Sequence, residues 1–152
     1  MKKKCLANSA CPLSRAYNVI GDWWSLLIIT QIMITKVGRF SDIQTNLGMA
    51  KNILTARLKK LVEDGILDRV PASDGGAHHE YVLTDLGRDL YKVVVALRQW
   101  GERHYFDRGG CDVQLVDGKK KRSLPEIELR SADGRVLGPD DFELAPRKSS
   151  KV

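Results

Sequence analysis

The chain has 152 residues, 43% of them hydrophobic and 29% charged, with a formal net charge of +6. That is the size of one ordinary domain with room for an appendage, and the composition of a globular protein, which excludes a disordered or fibrous chain. No stretch approaches the roughly 18 consecutive apolar residues a membrane-spanning helix needs, the basic opening MKKKCLANSACP has no apolar run behind it, and three irregularly spaced cysteines make no disulfide framework, so a cytoplasmic protein with free thiols and no membrane contact is expected.

Residues 1–10 read as a flexible lead. Pro12 suits a first helical position, where the N–H it lacks would have no partner, and a short helix follows it to about Gly21. Residues 23–33, WWSLLIITQIM, are apolar nearly all round, the pattern of a helix buried between others. In SDIQTNLG, Ser41 can cap a very short helix carrying Ile43 and Leu47, and Gly48 can close it. From Ala50 to Asp64 the apolar Leu54, Leu58, Leu61 and Val62 recur at helical spacing, and Gly65 supplies the stop. ILDRVPA and HHEYVLT then read as two strands joined through SDGGA. Thr84 can cap a long helix over residues 85–104, with Leu86, Leu90, Val93, Val94 and Leu97 along one side. Beyond Asp107, Arg108, Gly109 and Gly110 the pieces VQLV, IELR and FELA, with turns at Asp117-Gly118 and Asp133-Gly134, predict a small β-rich extension over residues 111–146. The tail 147–152 is expected to fray.

Charge is concentrated in one place. Residues 36–62 hold Lys36, Arg39, Lys51, Arg57, Lys59 and Lys60 against the single acid Asp42. A cationic helix face is often only a solvated face, but here a short helix precedes it and a hairpin follows, and few acids oppose it. The pair Trp23 and Trp24 suits core or dimer packing better than a ligand cage. His78, His79, Glu80, His104 and the cysteines show no CxxC or HExxH spacing, and adjacent strand residues such as His78 and His79 point to opposite faces, so no metal or other cofactor is expected. The sequence holds no GxxxxGK[ST], GxSxG or GxGxxG motif, and no enzymatic activity is expected.

The stretches CPLSRAYNVIGDWWSLLII, RFSDIQTNLGMAKNILTARLKKLVEDGIL, EYVLTDLGRDL and LRQW, in this order over residues 11–104, resemble the HxlR family of bacterial transcriptional regulators, relatives of the MarR group. The resemblance implies a mainly α (α+β) winged helix-turn-helix domain over residues 11–108, with a two-stranded wing at 66–83. It also implies a homodimer that binds double-stranded DNA and represses, or sometimes activates, a nearby transcription unit.

A recognition helix buries one face and offers the other to the major groove, so Lys51, Asn52 and Thr55 are the candidates for base edges or phosphates, and Arg57, Lys59 and Lys60 for phosphates. Arg39, and Arg69, His78 and His79 of the wing, complete the candidate DNA contacts, although the SDGG wing tip carries little positive charge. Ala50 stands where a serine often caps the recognition helix in this family. Dimerisation through the first helix and the long helix would set two recognition helices about 34 Å apart for a pseudo-palindromic operator. The effector is unassigned. The rival reading is a winged-helix protein-interaction module that uses the same basic face, or the β-rich extension, to bind an acidic partner.

Cys11 precedes Pro12 at a helix amino terminus, where the dipole and unpaired N–H groups favour the thiolate. Several members of the resembled family sense electrophiles or oxidants through a cysteine at this CP position. The alternative is a small residue packed in the dimer interface. An intersubunit disulfide would need Cys5 or Cys11 to pair with its own symmetry mate.

Overall fold

The computed structural model describes residues 7–72, 78–106 and 111–146. The SDGGA turn, most of the lead including Cys5, and the tail lie outside these residues. Helix α1 (Pro12–Ile20) is followed by α2 (Trp23–Thr35), α3 (Phe40–Leu47) and α4 (Lys51–Glu63). Strands β1 (Leu67–Pro71) and β2 (His79–Leu83) pair antiparallel, with Leu67 opposite Leu83 and Pro71 opposite His79, and α5 (Asp85–Asp89) and α6 (Tyr91–Tyr105) complete the regular elements. The chain divides into two compact units, residues 1–94 and 95–152.

The core of the first unit gathers Ile28, Ile29 and Ile32 of α2, Ile43 of α3, Leu54, Leu58 and Leu61 of α4, and Leu67 and Leu83 of the strands. Helix α2 is its centre, as an apolar helix between others should be. Trp24 packs against this cluster, while Trp23 stacks on it from outside with ring centroids 4.1 Å apart.

Two glycines set the helix-turn-helix. At the end of α3, Gly48 has φ +60° and the N–H of Met49 reaches the Gln44 carbonyl at 3.2 Å. At the end of α4, Gly65 has φ +70°, its N–H bonds Val62 at 3.0 Å, and that of Ile66 bonds Leu61 at 2.9 Å. Both are paired closures in which a left-handed residue turns the chain and satisfies carbonyls that the helix leaves open. The apolar residue after each glycine, Met49 or Ile66, is then carried into the core.

Three expectations are corrected. Ser41 lies inside α3 and does not cap it: the N-cap is Arg39, because Phe40 already packs on the core and starts the helix there. The long helix over 85–104 is two helices with a joint at Leu90. Thr84 caps α5 by accepting from the Gly87 N–H at 3.0 Å while its hydroxyl donates to the Gly65 carbonyl at 2.6 Å. Gly87 lies so near the Ile66 carbonyl that a Cβ would stand 2.2 Å from it, so the first turn is clamped to the strand and α6 starts anew from Leu90.

The third correction concerns the extension. VQLV, IELR and FELA form no regular strands among the described residues; the pairing is reduced to isolated bridges, Val116 with Ser123 and Arg130 with Val136. The turns between them stand where Asp117-Gly118 and Asp133-Gly134 put them, Gly134 at φ +89°. Side-chain contacts to the end of α6 hold the extension within the second unit. Gln99 donates to the Pro125 carbonyl at 2.9 Å and accepts from the Ile127 N–H at 2.9 Å, and Arg103 pairs with Glu126 at 2.5 Å.

Candidate nucleic-acid interface

Helix α4 has an inner and an outer row. Leu54, Leu58 and Leu61 are wholly buried, which fixes the rotation of the helix about its axis. Lys51, Asn52, Thr55, Ala56 and Lys59 therefore share one exposed, shallow surface. Ala50 begins the helix in extended backbone with no side-chain cap, so its first N–H groups are left unsatisfied by the residue that usually serves them. The Thr55 hydroxyl donates to the Lys51 carbonyl at 2.8 Å, leaving its oxygen to act as an acceptor towards solvent. Lys59 sits loosely beside Glu63 at 3.8 Å and is 77% exposed.

Arg57 and Lys60 are placed differently. Arg57 Nε lies 3.2 Å from Asp22 Oδ1, and Asp22 in turn caps α2, accepting from the Ser25 N–H at 3.0 Å and from its hydroxyl at 2.5 Å. Arg57 thus ties α4 to the start of α2. Lys60 is paired with Asp64 one turn along, on a flank of the helix. Both cations lie off the outer row, and each is paired with a largely buried acid, Asp22 or Asp64.

The remaining candidates form a second group. Arg39, Ser41, Arg69, His78 and His79 line a surface depression that also involves Phe40 and Tyr81. Arg39 Nε bonds Glu80 Oε1 at 2.9 Å, and its backbone bridges Glu80, so β2 is fastened to the chain just before α3. Arg69 stands 3.1 Å from His79 Nδ1. In this contact the guanidinium can only donate. His78 is exposed. The structure therefore brings Lys51, Asn52, Thr55 and Lys59 together, and separately Arg39, Arg69, His78 and His79, while Arg57 and Lys60 belong to neither group. Sequence reasoning missed Ala56, one turn on from Asn52, and the acids Asp22 and Glu80 that claim two of the arginines.

The family model of HxlR-like helix-turn-helix proteins matches residues 19–108. This chain belongs to the HxlR family. An uncharacterized HTH-type transcriptional regulator of Mycobacterium tuberculosis is 42% identical over 103 residues, which is 68% of this chain and 65% of the relative. The match thus spans just under two thirds of that relative's length. The crystal structure of PA1607, described as a candidate transcription factor, superposes with a TM-score of 0.88 at 40% identity, covering 95% of this chain and 100% of PA1607. The redox regulator HypR in its oxidized form gives a TM-score of 0.57 at 30% identity, over 64% of this chain and 100% of HypR.

In this HxlR chain Cys11 is exposed at the N-cap of α1, in extended backbone before Pro12. The Ser14 N–H, then the Ser14 hydroxyl and the Leu13 N–H, face the sulfur and hold the thiol below its ordinary value, although none is aligned well enough to count as a capping hydrogen bond. Cys111 is a second free thiol. Among the described residues no cluster of three or more His, Cys, Asp or Glu is placed to hold a metal, and no helix is long and apolar enough to cross a membrane.

Proposed function

We propose that this HxlR chain is a cytoplasmic, sequence-specific DNA-binding regulator that acts as a homodimer on a pseudo-palindromic operator and represses transcription. The observation that carries the reading is the outer row of α4: Lys51, Asn52, Thr55 and Lys59 stand exposed on one side of a helix whose other side is wholly buried. Asn52 and Thr55 offer the hydrogen-bonding groups that read base edges, and the two lysines neutralise phosphates on either side. Arg69 and His78 of the hairpin contact the backbone alongside.

The dimer rests on apolar surface that the single chain leaves open. Helix α1 buries no residue, and Leu13 and Tyr17 on it are 60% and 55% exposed. On α6, Val93, Leu97 and Trp100 are about half exposed. Burying such faces against a second copy removes them from water and makes the two-fold arrangement that a palindromic site needs.

Charge reversal at Lys51 and Lys59 tests the assignment. The Lys51→Glu, Lys59→Glu chain should lose duplex binding by about 100-fold or more at physiological salt while its dimer and its unfolding midpoint hold. Fluorescence anisotropy across a salt series, with sedimentation for the dimer, reads both; undiminished retention rejects the reading.

The same proposal gives Cys11 the role of an electrophile or oxidant sensor, supported by its lowered thiol pKa and by the likeness to the redox regulator HypR. In a Cys5→Ser, Cys111→Ser background, alkylation of Cys11 by iodoacetamide should reach half its maximal rate at lower pH in the folded protein than in urea. Superimposable pH profiles would remove the sensing role.

A further inference from the structure

The second unit carries a feature that the recognition helix does not use. Lys119, Lys120, Lys121 and Arg122 follow one another at the tip of the turn bridged by Val116 and Ser123, and all four are exposed. Asp117 builds the turn. Its Oδ1 accepts from the N–H groups of Lys119 at 2.7 Å and Lys120 at 2.9 Å, its carbonyl accepts from Lys121 at 2.8 Å, and its own N–H bonds the Arg122 carbonyl at 2.8 Å. The only carboxylate in the turn is therefore spent on backbone amides, which hold its pKa below the usual range.

The rest of the extension treats its cations in the opposite way. Arg130 pairs with Glu128, Arg135 with Asp133, and Arg103 at the end of α6 with Glu126. Among the described residues none of the four side chains at 119–122 has an acidic partner. Lys121 moreover occupies a left-handed backbone position, φ +55°, that favours glycine. Four adjacent like charges on a closed, hydrogen-bonded turn repel one another unless a polyanion meets them.

We propose that the turn at Lys119, Lys120, Lys121 and Arg122 is a second phosphate-binding element, which grips the backbone of duplex DNA independently of base sequence. The proposal rests on the DNA-binding reading above and extends it to the C-terminal unit. Duplex DNA is favoured over single-stranded nucleic acid because residues 117–123 carry no aromatic side chain on which a base could stack. It is favoured over a lipid surface because the same residues carry no large apolar side chain to enter one.

The test compares the full-length chain with its Lys119→Gln, Lys120→Gln, Lys121→Gln, Arg122→Gln variant on a mixed-sequence duplex of about 30 base pairs, by anisotropy between about 50 and about 200 mM salt. Each phosphate contact contributes about 0.9 to the slope of log affinity against log salt, so the variant's slope should be shallower by about 2 to 4 per protomer, with at least a tenfold loss of affinity at the lowest salt. A Lys119→Arg, Lys120→Arg, Lys121→Arg chain should keep the original slope, and circular dichroism should show both variants folded.

Equal slopes for the original and glutamine chains on a duplex that the original binds overturn this inference alone. Failure of the original chain to bind any duplex overturns it together with the DNA-binding reading. Loss of binding by the glutamine variant only to single-stranded RNA, or only to vesicles containing phosphatidylserine, with duplex binding unchanged, also overturns it.

Discussion

Helix α4 and the hairpin β1–β2 both bring cations to the proposed DNA surface, but the hairpin adds polar ties to the core packing that the two share. Beneath α4 lie three fully buried leucines, so its outer row is oriented by apolar packing and its lysines at 51 and 59 are left to solvent. The hairpin places Leu67 and Leu83 in the same core and is fastened in addition by polar contacts at its inner edge: Arg39 with Glu80, and the Tyr81 N–H on the Gly38 carbonyl at 2.8 Å. Arg39, at the start of α3, is engaged there by Glu80 of β2, and within the hairpin Arg69 stands against His79 on the paired strand. A cation that itself makes a tie between elements has its charge answered, as Arg39 has by Glu80 and Arg57 of α4 by Asp22, whereas Lys51 and Lys59 make no such tie and face solvent.

The sharpest way to break the hairpin's side of this comparison is Gly38→Ala. A Cβ at position 38 would lie 1.8 Å from the backbone carbonyl oxygen of Tyr81, and no side-chain movement relieves that overlap. The strand must move away, losing the Tyr81 bond and loosening Arg39 from Glu80, at an expected cost of about 3 kcal/mol or more. Urea unfolding measures it. Because α4 is seated by its leucines, the variant that remains folded should keep most of its duplex affinity, and a loss as deep as that of the Lys51→Glu, Lys59→Glu chain would show that the hairpin carries the binding instead.

Asp22→Ala probes the cation of α4 that is not free. The substitution removes the acceptor for the Ser25 N–H and the partner of Arg57 together. The cap is worth about 1 kcal/mol and the partly buried ion pair about another 1, so stability should fall by about 2 kcal/mol. Duplex binding should move the other way. With Asp22 gone, Arg57 becomes an unopposed cation on α4, and the salt dependence should steepen while affinity stays level or rises. A variant that binds DNA as weakly as it folds would mean that the Asp22–Arg57 contact orients the outer row.

How much of this was legible in the sequence follows the reach of each interaction. The inner row of α4, its glycine stop, the strand pair and the Thr84 cap are set by residues within a turn or a short loop of one another, and spacing exposes them. Arg57 and Arg39 could not be sorted from Lys51 and Lys59 by spacing, because their acids lie 35 positions before and 41 positions after them. Lys60 is a different matter: Asp64 stands one helical turn away, and that pairing was open to inspection. The break at Leu90 was hidden because no proline or glycine marks the residue itself; its cause is Gly87 pressed on the Ile66 carbonyl, a contact between segments about 20 positions apart. VQLV, IELR and FELA alternate as strands do, yet alternation specifies a strand only where a neighbour and a core receive it, and Leu129, Phe142 and Leu144 remain exposed.

The smallest expected effect concerns the entrance to α4. Ala50 has φ −63° and ψ 136°, the backbone of an N-cap, but an alanine has no oxygen to offer the N–H groups of Asn52 or Ile53. Ala50→Ser supplies one without altering the backbone, so the free protein should gain about 1 kcal/mol in urea unfolding. The same N–H groups point out of the helix amino terminus, where a phosphate oxygen can take them in the bound state. A serine that already occupies them competes with that phosphate. The gain in stability should therefore fail to appear as a gain in affinity, with duplex binding unchanged or a few-fold weaker. If affinity rises in step with stability, the amino terminus of α4 does not meet the DNA backbone, and the lysines at 51 and 59 must approach it with the helix lying side-on.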